Sequence, residues 1–383
     1  MNNLGKTIEN LISSGPILIA FILSIIIAKF YQKFRLKQNY YGEIYVRKIS
    51  NYKKFIWNFF IVIFPSIFLG IRGYNVGYDT HNNWINYLNV SNISLIKDFK
   101  EVGTSSPLFW IFRVLSYKII GNNVSLYLIL LSFLTLIIMT YSLEYWIKEI
   151  SLPMSLFLYY SFFGLQLMNQ SRQMLALSIL LYALKFKIEN KNKYYFLIIF
   201  LGMMIHYSAI IGIGFYFLDF RKKNYKLKKK VYFVFFIAII FLLPKLSFLL
   251  SKLMIVKYRY YFLNYSFNKF GFGFYLNVLP VIFPVVLLRK YDKTKKGDYL
   301  KRILYLIIIL RLMGYCSYFI MRMYYYSAIV LIILIPMLLN KVKNRGNRKI
   351  IKVIIILIYA SYYIVNYGYA NSAQILPYYT IFK

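Results

Sequence analysis

A single cysteine, Cys316, and two histidines, His81 and His206, are all that 383 residues offer in soft or imidazole ligands. That rules out a disulfide framework and a thiolate cluster for zinc or iron. Acidic residues are also scarce, 11 Asp and Glu in all, with no EF-hand or His-x-Glu pattern, so no dedicated metal cage and no cofactor are expected. Any chemistry rests on a handful of side chains.

What the chain has instead is apolar surface and positive charge. Hydrophobic residues make up 60% of it, and 48 Lys and Arg give a formal net charge of +37. In a soluble protein that excess would suggest nucleic acid. Here the basic residues fall in short clusters between apolar runs, and none lies on a stretch that could fold as a soluble domain. The pattern is that of a membrane protein with positive loops inside, and no nucleic-acid partner is expected.

Apolar runs of about 15 to 24 residues start near Pro16, Phe55, Val124, Pro153, Met174, Val231, Phe274, Ile303, Tyr324 and Ile350. Two more, Pro107 to Ile120 and Tyr194 to Leu218, are ambiguous. No repeat, linker or low-complexity stretch divides residues 1–383, so one polytopic membrane domain is expected. The first run is followed by Lys29, Lys33, Arg35 and Lys37 rather than by a small-residue cleavage site. This predicts an uncleaved first helix that starts outside.

Lys and Arg counts between the runs give an orientation. Lys29 to Lys54 holds eight, Arg221 to Lys230 seven, Arg289 to Arg302 seven, Lys341 to Lys352 six and Lys185 to Lys193 four. All five loops are expected in the cytoplasm. Arg72 to Ser106 balances Arg72, Lys97 and Lys100 against Asp79, Asp98 and Glu101, and is expected outside.

If every run crossed once, both ends of Tyr194 to Leu218 would be cytoplasmic, which a single crossing forbids. The repair makes Pro107 to Ile120, with Arg113 in its middle, a short re-entrant or interfacial helix. It also breaks Tyr194 to Leu218 at His206 into two half-helices that enter and leave on one side. Such breaks survive in a bilayer only where they are buried in protein or line a polar cavity. A continuous tilted helix with a buried neutral histidine is the other reading, and both stay open here. The expected fold is all-α, with about ten spanning helices and one or two re-entrant or interfacial ones.

This topology brings Arg72, Asp79, Arg172, Arg259 and Arg322 to the outer face, from four separate hairpins. One arginine at a helix end commonly snorkels to headgroups. Several on the outer side run against the charge bias and ask for a purpose. A guanidinium is a planar fork of donors suited to phosphate, so the cluster suits a pyrophosphate such as that of a polyprenyl carrier. With 41 Tyr in the chain, most aromatics are expected in interfacial belts. Trp84 and Tyr87 in the polar run after Asp79, Tyr258, Tyr260, Tyr261 and Tyr265, and Tyr378 with Tyr379 near the end are candidates to stack on sugar rings.

The segments Ile71–Thr80 (IRGYNVGYDT), SRQMLALSI around Arg172, GMMIHYSAII around His206, RMYYYSAIVLIILIP from Arg322 and the final LPYY carry a resemblance. In this order the chain resembles the EpsG-like family of exopolysaccharide polymerases, relatives of the Wzy-type O-antigen and capsule polymerases. One departure is Tyr78, which stands where a small or hydroxyl residue is expected before the acid.

The resemblance implies a multi-pass enzyme of the cytoplasmic membrane, with its active site outside. It would join undecaprenyl-pyrophosphate-linked oligosaccharide units, donor to acceptor, without cofactor or metal. Chain-length regulator and flippase proteins are further expected partners, besides the bilayer itself. In this reading Arg72, Arg172, Arg322 and Arg259 hold the departing pyrophosphate, and Asp79 or His206 takes the proton of the attacking hydroxyl. Two rivals stay in view. A flippase or exporter of lipid-linked oligosaccharide should show pseudo-symmetric halves, and a membrane O-acyltransferase needs an acid beside His206.

Overall fold

The computed structural model describes residues 3–39, 43–91, 97, 99–100, 105–218, 272–288, 295–314 and 318–382. Within them the chain is almost entirely helical, apart from a small hairpin of β1 (Leu36–Gln38) and β2 (Ile44–Val46). Among the described residues five helices are long and apolar enough to cross a membrane: Gly15–Arg35, Asn51–Gly70, Val124–Glu144, Ile320–Asn340 and Arg345–Tyr369. The protein is a membrane protein. The expected run from Val231 lies outside the described residues, as do Arg259 and the tyrosines at 258, 260, 261 and 265.

In chain order the helices used below are α1 (Asn3–Ser13), α2 (Gly15–Arg35), α3 (Asn51–Gly70), α4 (Tyr78–Leu88), α5 (Pro107–Ile120), α6 (Val124–Glu144) and α7 (Leu152–Tyr159). They are followed by α8 (Ser171–Ile188), α9 (Asn192–Ile205), α10 (Ile211–Phe217), α11 (Phe272–Leu287), α12 (Lys295–Met313), α13 (Tyr318–Ala328), α14 (Leu331–Asn340) and α15 (Arg345–Tyr363).

Several apolar runs are shorter as helices than as sequence. The run from Pro153 passes from α7 into a π-helical turn, Tyr160–Gly164, and a single turn, Gln166–Asn169, before the chain breaks at Gln170. Helix α5 has the predicted bounds; its 14 residues span about 21 Å, well short of a bilayer core.

Tyr194 to Leu218 is a helical hairpin. α9 ends at His206, whose extended backbone (φ −153°, ψ 116°) stops the helix. A 3-10 turn, Tyr207–Ile210, leads into α10. The two arms lie side by side: the Tyr195 hydroxyl donates to the Gly212 carbonyl at 2.6 Å, and the Phe196 and Tyr216 rings are 4.7 Å apart. The continuous tilted helix is therefore not adopted.

α3 and α6 run antiparallel in close contact. A Cβ on Gly70 would collide with the backbone of Ile129, so the absence of a side chain is what lets these helices meet. At the other end of the pair, Glu144 closes α6 in a buried polar cluster. Arg35 pairs with it at 3.1 Å, Asn58 donates to it at 2.8 Å and the Tyr31 hydroxyl donates to it as well. Each partner satisfies what would otherwise be an isolated buried charge. Asn340, at the end of α14, donates to the Glu149 carbonyl at 2.9 Å, so the basic segments after Arg35 and after Asn340 lie at one end of the bundle.

The C-terminal tail closes the other end. Gly73 N donates to Tyr379 O, Gly77 N to Gln374 O and Ile381 N to Ile71 O, each at 2.9 Å. Two glycines of the 71–77 loop have stated reasons. Gly73 sits under the Tyr379 ring with no room for a Cβ, and Gly77 has φ +91° just before α4. The tail thus sets where α4, and Asp79 on its first turn, begins.

Candidate active site

At the end opposite the basic segments, a cavity of about 310 Å³ opens between α4, α5, α8, α13 and the hairpin tip at His206. That volume is at the lower end of ordinary ligand pockets. Its wall is polar almost throughout: Asp79, three asparagines of α4, Ser105 and Ser106 before α5, the stretch Asn169–Gln173, His206, Tyr207 and Arg322.

On α4 the lining residues are Asp79, Asn82, Asn83 and Asn86, spaced i, i+3, i+4, i+7, which puts them on one helical face. The other face carries Thr80 and Tyr87 into the core. The Asp79 amide donates to Asn169 Oδ1 at 2.8 Å, which ties the start of α4 to the turn before α8. The Asp79 carboxylate has no hydrogen bond or ion pair among the described residues, although Arg172 and Arg322 both act on it electrostatically. Burial pushes its pKa above the usual carboxylate range, and the two arginines pull it back.

Arg172 stands on the first turn of α8, where the break at Gln170 ends the preceding turn and aims the new helix start at the cavity. Its guanidinium lies over the Phe109 ring at 5.6 Å and has no hydrogen bond or ion pair among the described residues. The start of α5 faces the same space through Ser105 and Ser106. Two helix N-termini with their free amide groups and an open guanidinium make a place for an anion.

Arg322 comes from α13, and Gln173 Nε2 donates to its carbonyl at 3.1 Å, joining α8 to α13 behind the cavity. Arg322 thus lies inside a helix, rather than before one as expected. His206 stacks on Tyr207 (5.1 Å, 16°) and shares a 3.1 Å hydrogen bond between Nδ1 and the Tyr326 hydroxyl. Among the described residues its Nε2 has no partner.

The structure therefore brings Asp79, Arg172, His206 and Arg322 together, from four separate elements. It does not bring Arg72 to the wall. Arg72 is 1% exposed, and donates through Nε to Thr80 Oγ1 at 3.0 Å, through one terminal nitrogen to Met168 O at 3.1 Å and through the other to Leu69 O. All its nitrogens point back into protein, where it clamps the start of α4 to the turn before α8.

The proposed sugar stackers are elsewhere too. Tyr87 is buried against Tyr127 (4.2 Å) and donates to Gly121 O at 2.8 Å. Tyr378 donates to Phe68 O at 2.6 Å. Trp84 packs edge-on against Tyr74, off the lining. Their aromatic character serves packing. Among the described residues no group of three or more His, Cys, Asp or Glu could hold a metal ion.

Residues 54–380 match the model of the EpsG family. No curated protein and no solved structure is matched.

Proposed function

Since the chain belongs to the EpsG family, which implies an exopolysaccharide polymerase-like function, we propose that it is a repeat-unit polymerase acting on polyprenyl-pyrophosphate-linked oligosaccharides at the outer face of the cytoplasmic membrane. One observation carries this reading: an acid, an arginine and a histidine nitrogen face one cavity with no hydrogen bond or ion pair among the described residues, beside a second arginine. Groups of this kind left unpaired inside a fold are costly, so they fit a site that is completed by its substrate.

The chemistry follows from the charges. A hydroxyl of the incoming unit attacks the anomeric carbon of the growing chain, and a new C–O bond forms as the bond from that carbon to the pyrophosphate oxygen breaks. The electron pair leaves with the polyprenyl pyrophosphate. Arg172 and Arg322, with the N-termini of α5 and α8, would stabilise that developing charge. The hydroxyl proton would pass to Asp79, whose raised pKa makes it a better base than an exposed carboxylate. The amide face of α4 offers donors and acceptors for the sugar hydroxyls.

The outward orientation rests on charge. The cavity lies at the end of α3, α8 and α13–α14 away from the basic stretches 29–54, 185–193 and 341–352. Changing Cys316, the only native cysteine, to serine and Asn83 to cysteine gives a single reporter on the cavity wall. A membrane-impermeant maleimide should label it from outside, and lipid-linked oligosaccharide should protect it. Labelling only from the cytoplasmic side would overturn the orientation, and absence of protection the substrate.

A further inference from the structure

His206 and its neighbour Tyr326 decide a question that the cavity poses: which group takes the proton. Tyr326 is fully buried at 0% exposure, and among the described residues His206 Nδ1 is the hydrogen-bond partner of its hydroxyl, at 3.1 Å. A neutral imidazole has one N–H and one bare nitrogen, so two arrangements fit that distance.

In the first, the Tyr326 O–H donates to Nδ1, and the ring proton sits on Nε2, toward the cavity. In the second, Nδ1–H donates to the tyrosine oxygen. The tyrosine then keeps a buried O–H that has no acceptor among the described residues. A buried donor left unmade is penalised, whereas a hydroxyl oxygen with a spare lone pair is tolerated. That difference is enough to hold the second form to about a tenth of the population or less.

We infer that Tyr326 is a positioning residue that fixes His206 as its Nε2–H tautomer, so that His206 presents the cavity with a hydrogen-bond donor and not with a base. The tautomer follows from packing alone. Its consequence rests on the polymerase reading: His206 joins Arg172 and Arg322 in binding the departing pyrophosphate, and Asp79 alone accepts the proton of the attacking hydroxyl.

With only two histidines in the chain, nitrogen NMR reads this directly. Full-length protein labelled with 15N-histidine is placed in lipid nanodiscs at neutral pH, and H81Q identifies the His206 signals. The expected spectrum has a bare, pyridine-type Nδ1 and a protonated, pyrrole-type Nε2, and Y326F, which removes the hydrogen bond to Nδ1, shifts the Nδ1 signal further toward that of a free pyridine-type nitrogen. A proton on Nδ1 in the wild type, alone or together with Nε2, overturns the inference, as does a Y326F spectrum with unchanged nitrogen shifts.

A second measurement tests the role. Gln can donate in place of an Nε2–H but cannot act as a base, so H206Q should keep polymer formation within about tenfold of wild type while H206A falls about a hundredfold. Equal loss in both variants overturns the donor role. Failure of the wild type itself to extend lipid-linked units would sink the polymerase reading and leave the tautomer standing.

Discussion

Arg172 and Arg72 look alike in sequence, each an arginine beside the end of an apolar run, yet the structure separates what their loss should do. Among the described residues Arg172 lies over the Phe109 ring and has no hydrogen bond or ion pair. R172A should therefore cost the fold little, about 0.5–1 kcal/mol for the ring contact. Its cost in chemistry should be far larger, because a preorganised cationic donor at a departing phosphate is worth roughly 2.7–4 kcal/mol, a factor of about 10² to 10³ in rate. R172K keeps the charge but loses the fork of donors, and should fall between, about tenfold below wild type. Arg72 has the opposite profile. It is buried and donates to Thr80, Met168 and Leu69, so R72A should destabilise the fold by about 3 kcal/mol or more. The assay pairs the polysaccharide length ladder in a complemented deletion strain with the thermal midpoint of purified protein in detergent. R172A should lose the ladder at a wild-type midpoint, and R72A should lose midpoint and expression first. Full-length polymer from R172A at normal abundance would refute the reasoning.

Three further outcomes follow from the same contacts. D79N should reduce polymer formation by about 10² to 10⁴ without lowering the midpoint at neutral pH. A base works ionised, so wild-type activity should decline as pH falls through the Asp79 pKa, and because burial raises that pKa the decline should begin at higher pH than for an exposed carboxylate. On stability the sign is reversed: a raised pKa contributes stability at low pH that is lost as pH rises through it, so D79N, always neutral, should melt no lower than wild type. R35A leaves Glu144 buried without its cation and should cost about 3–5 kcal/mol, seen as a lower midpoint with no change in activity per folded molecule. G70A forces a Cβ against the Ile129 backbone, prises α3 from α6 and should abolish accumulation in the membrane, measured by immunoblot.

Much of this site was legible in the sequence because charge counting is a statement about topology. Of the two readings open at Tyr194 to Leu218, the break is the one adopted, and the hairpin turns at His206. Loop charge likewise puts Asp79, Arg172 and Arg322 at one end of the molecule, and all three line the cavity. Side-chain direction was not legible. An arginine at the end of an apolar run reads the same whether it points into a cavity or, like Arg72, back under its own helix at Leu69. Tyr87 and Tyr378 have the chemistry to stack on a sugar, but burial and a backbone carbonyl within reach hold both in the core.

Two signals were present and missed. The asparagines of α4 follow Asp79 at helical spacing, a polar stripe that periodicity alone exposes. Leu4, Ile8, Leu11 and Ile12 give α1 an apolar face in a stretch too short to register as a membrane run. The acyltransferase alternative needs an acid beside His206; none lies nearby along the chain, yet Asp79 shares its cavity.

Reconstitution with a defined lipid-linked repeat unit separates these chemistries and tests the central claim, that this cavity joins units by displacing a pyrophosphate. Purified protein in proteoliposomes is given that unit alone, and both chain length and free polyprenyl pyrophosphate are followed. The account predicts one pyrophosphate carrier released for each link formed, with both signals lost together in R172A. Units moved across the bilayer unchanged, or chain growth that R172A leaves intact, would contradict it.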